Sequence, residues 1–155
     1  MLRNVVIFLA AVFLSLTAGR AFWVSLGENP FNMSGRTYVE FFQQLDPRIA
    51  IPIAITGVGG TVLAGVAAAL SRRDKRAFRL LLAACGFGIV GSLVTLLVNV
   101  PINERLATWN PTALPPDYES FLRTWWHWHQ VRFAAMFAAM VLIFAAMLMR
   151  GTARS

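Results

Sequence analysis

Residues 80–100 read LLLAACGFGIVGSLVTLLVNV and contain no charged side chain. A helix needs about 20 mostly apolar residues to cross a bilayer, so this run alone is long enough to span one. Two further runs, Val5–Leu26 and Ile49–Leu70, have the same character, and only Arg20 interrupts the first. A fourth run, Phe133–Met149, is slightly short, and we expect the Trp- and His-rich residues before it to extend its helix. No run alternates apolar and polar residues as the strands of a membrane barrel do.

The composition of the whole chain also indicates an integral membrane protein. Of the 155 residues, 57% are hydrophobic and 14% are charged, and the mean hydropathy is +0.61, whereas a soluble domain carries about 25% charged residues. This balance excludes a disordered chain, a coiled coil and an ordinary soluble enzyme. The net charge is +7, but the basic residues lack the interleaved groups that read bases, so we predict no nucleic-acid partner. A single cysteine, Cys85, excludes an internal disulfide and a CxxC pair.

These features predict an all-α protein, a four-helix transmembrane bundle with up-down-up-down topology that occupies residues 1–155 as one domain. The approximate spans are 4–26, 49–70, 78–100 and 129–149. We expect the first to be a retained helix, because no small-x-small cleavage site closes it. Small residues at four-residue spacing, such as Gly57, Thr61 and Gly65, permit close helix packing within one chain or between copies, so the Gly/Ala stripes leave an oligomer open.

The distribution of Lys and Arg predicts the orientation of this bundle. Loop 71–79 is strongly basic, and further cations lie near both termini, whereas segments 27–48 and 102–130 are richer in acids than in bases. We therefore expect both termini and loop 71–79 to be cytoplasmic. The expected location is the cell (plasma or inner) membrane, where the lipid bilayer is the first partner.

Polar side chains gather at the predicted outer ends of the helices. Such groups inside a span usually face the bundle interior or a wet cavity. The residues concerned are Arg20, Glu28, Asn99, Asn103, His129 and Arg132. They predict a polar pocket at this end, although Arg20 could instead snorkel to the headgroups. Pro101 removes a backbone donor, so the third helix should end or bend between Leu97 and Asn103, and the two Asn could merely satisfy freed carbonyls.

The spacing in the fourth helix separates its two histidines. Trp125, His129 and Arg132 share one face, whereas His127 lies about 160° away from His129 and is expected in an interfacial aromatic belt. The two histidines therefore cannot chelate one metal, and we predict no metal site. His129 and Arg132 can converge on one carbonyl or anionic oxygen. We expect Arg132 to hydrogen-bond one of four outer groups: Glu28, Glu104, Asn99 or Asn103.

Two sequence elements together resemble a known family. The run NVPINERLATW at 99–109, followed by Trp125-x3-His129-x2-Arg132, is similar to the anthrone-oxygenase-like family of small four-helix membrane proteins. The segments AGR at 18–20, ENP at 28–30 and YVEF at 38–41 resemble its bacterial branch, whose members are mostly of unknown function. Named fungal members oxidise an anthrone to an anthraquinone without a metal or flavin. The resemblance therefore implies an oxygenase that needs no cofactor.

The resemblance also implies where the site lies. It places the site at Asn99, Pro101, Asn103, His129 and Arg132. In this interpretation His129 is the general base, Arg132 and Asn103 bind the enolate oxygen, and Trp109 and Trp125 supply apolar walls. Arg20, Glu28 and Asn99 complete the predicted ligand-binding set.

The residues themselves leave three functions open. The first is an oxygenase of this type, and the second is a non-enzymatic membrane module that binds lipid or quinone or serves as a partner subunit. The third is a transporter, which the small number of spans and the lack of discontinuous helices disfavour. For the first two we expect a small aromatic or amphipathic ligand.

Overall fold

The computed structural model describes residues 1–151 and contains four long helical spans within that range. The helices are α1 (Leu2–Gly27), α2 (Gly35–Leu70), α3 (Lys75–Val94), α4 (Val100–Thr108) and α5 (Tyr118–Gly151), and a π-helical turn, Thr95–Asn99, joins α3 to α4. Each span is long and apolar enough to cross a membrane, and residues 1–151 form no strand. The predicted all-α, four-span membrane fold is confirmed.

The helices run antiparallel to their neighbours. Gly57 of α2 lies beside Thr17 of α1, and Gly60 lies beside Leu14, so the numbering rises on one helix as it falls on the other. α3 packs against α2 and α5, and α5 closes the ring against α1. The bundle is therefore up-down-up-down. The longer connections, 28–34 and 109–117, lie at one end, which we call the long-loop end.

Local sequence signals explain where α2 and α3 begin. The side chain of Ser34 accepts a hydrogen bond from the Thr37 N–H at 3.2 Å, and Asp74 accepts one from Ala77 at 3.1 Å, as expected of N-caps. α2 starts at Gly35, well before the apolar run at Ile49, and its first turns bury side chains against the bundle. The helix therefore carries polar residues of the predicted loop into the structure.

The third span is disturbed beside Pro101, as predicted, but it does not end there. Pro101 has no N–H for the carbonyl of Leu97, and the preceding residues Thr95–Asn99 adopt a π-helical turn before the helix resumes to Thr108. Asn99 is fully buried and Asn103 partly so. Both amides thus face the bundle.

The apolar core is divided into two clusters along the bundle axis. The larger cluster, around Leu14, Leu81 and Ile143, fills the half of the bundle away from the long loops. The smaller one, around Leu106 and Leu122, fills the long-loop end. Helix packing between these two clusters leaves a cavity.

Candidate functional site

A cavity of about 190 Å³ lies between the two core clusters. Residues from all four spans line it, so it belongs to the bundle as a whole. Its charged and strongly polar lining residues are Arg20, Glu28, Tyr38, Asp46, Asn103 and Arg132. The remaining lining is mostly apolar, which is the usual character of a small-molecule site with a few orienting polar groups. We call it the long-loop cavity.

Arg20 and Glu28 form a two-pronged ion pair at this cavity. Nη1 and Nη2 of Arg20 donate to Oε1 and Oε2 of Glu28, each at 2.7 Å. The two side chains are 21% and 12% exposed, so the pair is largely shielded from the surroundings. Parallel bidentate bonds hold both groups in a fixed geometry. Arg20 is therefore held inside the bundle by Glu28, in contrast to the alternative in which it snorkels to the headgroups.

A hydrogen-bonded chain links three helices across the cavity. Trp125 Nε1 on α5 donates to Asn103 Oδ1 at 2.7 Å, and Asn103 Nδ2 donates to Asp46 Oδ1 on α2 at 3.2 Å. The indole can only donate and the carboxylate accepts, so the Asn103 amide has one satisfactory orientation. Asn103 thereby positions the carboxylate of Asp46 at the cavity.

Sequence reasoning missed Asp46. It lay in the segment predicted to be a loop between the first two spans, and no motif draws attention to it. The sequence feature that could have indicated Asp46 is its position next to Pro47, three residues before the apolar run that begins at Ile49. Because α2 begins at Gly35, this carboxylate lies on a helix facing the bundle.

His129 is fully buried between two indoles and holds Arg132. Its ring stacks on Trp125 with centroids 5.2 Å apart and on Trp126 at 5.6 Å. Nη2 of Arg132 donates to His129 Nδ1 at 2.7 Å, and His129 Nε2 lies 3.2 Å from the carbonyl oxygen of Ala21. A guanidinium only donates and a carbonyl only accepts, so these partners select the neutral imidazole with its proton on Nε2.

This geometry changes the expected role of His129. Its Nδ1 lone pair accepts from Arg132, and its Nε2 proton points at a backbone carbonyl. Neither nitrogen is free to take a proton from a ligand, and the ring is not part of the cavity lining. The arrangement suits a positioning residue that orients Arg132 towards the cavity.

Arg132 and Asp46 face the same cavity without forming an ion pair. Both side chains line it, yet the ion pairs within residues 1–149 are Arg20–Glu28 and two exposed pairs on helix surfaces. The expected bond from Arg132 to Glu28, Glu104, Asn99 or Asn103 is wrong, because its hydrogen bond goes to His129. Glu28 is occupied by Arg20, and Asn103 by Trp125 and Asp46.

The cavity brings together five of the nine residues that the sequence predicts at the site, and four lie outside its lining: Asn99, Pro101, Trp109 and His129. The five are Arg20, Glu28, Asn103, Trp125 and Arg132. Asn99 is buried behind it and donates to the Trp125 carbonyl at 3.2 Å. Trp109 packs edge-on against Phe121, with centroids 5.9 Å apart, and His129 supports Arg132 from behind. His127 is exposed on the opposite face of α5, as its spacing predicts.

The donor set favours an organic ligand with oxygen atoms. In the described part of the chain no three His, Cys, Asp or Glu side chains come together as metal ligands would. The cavity instead offers a guanidinium, a carboxylate and a phenol among apolar walls. Such a set can bind a carbonyl oxygen and accept a proton from the same molecule.

Comparison with known proteins identifies the family. The family described as anthrone oxygenase matches residues 48–142, a range that includes Asn99, Asn103, His129 and Arg132. A search of curated proteins gave no significant match, and neither did a search of solved structures. Because the matched range covers more than half of the chain, the protein belongs to the anthrone oxygenase family.

Proposed function

We propose that this member of the anthrone oxygenase family binds a flat aromatic ketone in the long-loop cavity and oxidises it with O₂. The observation that carries the proposal is the pair Arg132 and Asp46, two unlike charges that line one cavity without pairing. An unpaired charge in such surroundings is costly. A ligand that presents an oxygen to Arg132 and an acidic hydrogen to Asp46 would satisfy both.

An anthrone fits this description. Its ring carbonyl lies opposite a methylene group whose hydrogens are acidic, because the resulting anion is delocalised onto the carbonyl oxygen. In the proposed reaction Asp46 takes a methylene proton, and Arg132 stabilises the enolate oxygen. The carbanion then transfers electrons to O₂ and forms a C–O bond, which gives a hydroperoxide after protonation.

The last step balances the reaction. The hydroperoxide loses water across its C–H and O–O bonds, which leaves a second ring carbonyl. One anthrone and one O₂ thus give one anthraquinone and one water, with the methylene carbon oxidised and O₂ reduced. The proton held by Asp46 returns in the formation of the hydroperoxide or of water. His129 keeps Arg132 in place, and Asn103 keeps Asp46 in place.

The test compares Asp46→Asn with Glu104→Gln, which neutralises an exposed acid on α4 outside the cavity. Purified protein in nanodiscs is given 1,8-dihydroxyanthrone, and O₂ uptake and anthraquinone absorbance are followed above the uncatalysed rate. General-base catalysis contributes about 10²–10⁴-fold to a reaction rate. We therefore expect the turnover rate of Asp46→Asn to fall by about that factor, while its Kd for the anthrone changes less than about threefold. Glu104→Gln should match the wild type.

Two outcomes would overturn parts of this proposal. Wild-type turnover in Asp46→Asn would exclude Asp46 as the base. Binding of the anthrone by the wild type without O₂ uptake would exclude the oxygenase and leave the non-enzymatic binder as the function.

A further inference from the structure

The residues that line the long-loop cavity differ in how far they are exposed at the surface of the bundle. Lining residues from α1 and α5 are buried or partly buried, including Thr17, Ala21, Val24, Trp125 and Met136. Every exposed lining residue belongs to α2 or to the π-helical turn, namely Phe41, Ala50, Ala54, Val58 and Leu96. The cavity is therefore closed by α1 and α5 and open between α2 and the third span. We call this opening the lateral slot.

The rim of the lateral slot is apolar. Leu96 is 57% exposed and Val58 is 49% exposed, and Ala50 and Ala54 lie between them and the polar end of the cavity. Side chains of this kind on the outer face of a spanning helix are suited to the acyl chains of the bilayer. The slot thus connects the hydrocarbon region with a cavity that contains charged groups.

Both rims of the lateral slot carry an interruption of helical hydrogen bonding. On α2, Pro47 and Pro52 lack the N–H groups that would bond the carbonyls of Gln43 and Arg48. On the opposite rim, Thr95–Asn99 form the π-helical turn, a distortion often found at functional sites. Each rim can therefore bend more readily than a regular helix, at the level where the cavity opens.

We propose that the substrate enters the long-loop cavity sideways from the bilayer, through the lateral slot. This inference rests on the proposed function for the identity of the substrate. It adds the path by which the substrate reaches the cavity and the physical class to which the substrate belongs. The substrate is a membrane-dissolved, planar, apolar ring compound. Water-soluble conjugates of the same ring system, such as glycosides or sulfates, are excluded by the apolar rim.

The position of the polar groups fixes how such a molecule enters. Arg20 and Arg132 lie on α1 and α5, the two helices that form the closed side of the cavity. A ring compound that slides in from lipid therefore leads with its oxygen-bearing edge and leaves its apolar edge in the slot. Asp46, on the α2 rim, meets the ring as it arrives.

The test measures the kinetics of 1,8-dihydroxyanthrone binding in nanodiscs by quenching of tryptophan fluorescence. Ala54→Phe adds a ring at the rim, and Ala83→Phe adds the same ring at an exposed position of α3 outside the cavity lining. We expect Ala54→Phe to slow association and dissociation each by tenfold or more, whereas Ala83→Phe behaves as the wild type. The opposite change, Leu96→Ala, should accelerate both rates by at least threefold.

The outcomes separate the route from the chemistry. The lateral route is overturned if Ala54→Phe and Leu96→Ala both bind the anthrone at the wild-type association rate. It is also overturned if Ala54→Phe loses affinity while its association rate stays unchanged. A wild-type dimer in nanodiscs that Ala54→Phe dissociates also overturns it, because a second copy would then cover the slot. Binding through the slot without O₂ uptake leaves the route standing and overturns the oxygenase, and no binding by the wild type overturns both.

Discussion

Replacing Gly88 by Ala should separate α2 from α3 at the point where the lateral slot closes. A Cβ atom at Gly88 would overlap the Thr61 hydroxyl and lie 3.0 Å from Thr61 Cγ2 and 3.1 Å from its Cβ. Thr61 cannot easily turn away, because its hydroxyl donates to the Gly57 carbonyl at 2.8 Å and a β-branched side chain has few helical rotamers. The backbones must therefore move apart.

The size of this effect follows from a comparison with Gly86→Ala. Nothing lies within 4 Å of a Cβ at Gly86, and both glycines are in α3, so the gain in helix propensity, about 1 kcal/mol, applies to each. The difference between the two variants isolates the overlap, for which overpacking typically costs about 1–3 kcal/mol. We expect Gly88→Ala to be less stable than Gly86→Ala by that amount.

The assay is unfolding in mixed detergent micelles, followed by tryptophan fluorescence. Thr61→Ala removes the overlapping hydroxyl and methyl, so the Gly88→Ala/Thr61→Ala double variant should recover most of the lost free energy of unfolding, which a double-mutant cycle measures as coupling. Separation of the helices should also accelerate anthrone exchange through the slot. Equal stability of Gly88→Ala and Gly86→Ala would refute the reasoning.

Three further predictions address the site and the topology. His129→Phe keeps an aromatic ring between the two indoles but removes the acceptor for Arg132, so the rate of anthrone oxidation should fall about tenfold or more. The control, His127→Phe on the exposed face of α5, should match the wild type, and equal activity of the two variants would contradict the positioning role of His129. Arg132→Lys should lose most turnover, because an ammonium cannot reproduce the planar fork that serves His129 and the ligand together, and wild-type kcat/KM in this variant would count against the site. In a Cys85→Ser background, Arg73→Cys in the basic loop should resist a membrane-impermeant maleimide applied to intact cells and react after lysis; rapid labelling from outside would reverse the predicted orientation.

The sequence predicted the fold well because the bilayer imposes strong constraints on it. Apolar length determined the number of spans, and the rotation of 100° per residue separated the buried His129 from the exposed His127. Pro101 marked the disturbed part of the third span. Each of these inferences depends only on residues close together in one helix.

The site was harder to predict because its contacts join different helices. Arg132 was assigned a charged or amide partner among four outer groups on other segments of the chain, but the structure pairs it with His129 on its own helix. Asp46 was overlooked because hydropathy placed it outside the spans, whereas α2 extends well beyond its apolar part. Which carboxylate faces the cavity depends on helix rotation and register, and these are properties of packing rather than of composition.

The π-helical turn at Thr95–Asn99 makes the site sensitive to the length of the chain. Deletion of one residue there would convert the turn into regular α-helix. Because the hydrogen bonds of a π-helical turn run from residue i to i+5, the turn holds one residue more than an α-helical turn. The later part of the span, including Asn103, would therefore nearly keep its orientation, whereas the side chains within the turn would change position. The shortened protein would keep its hydropathy, its charge and its four spans. Relatives that differ by a single deletion within this turn can therefore share the membrane fold and still differ in the shape of the cavity wall, so an alignment gap at these five positions is a change at the site rather than a neutral change of loop length.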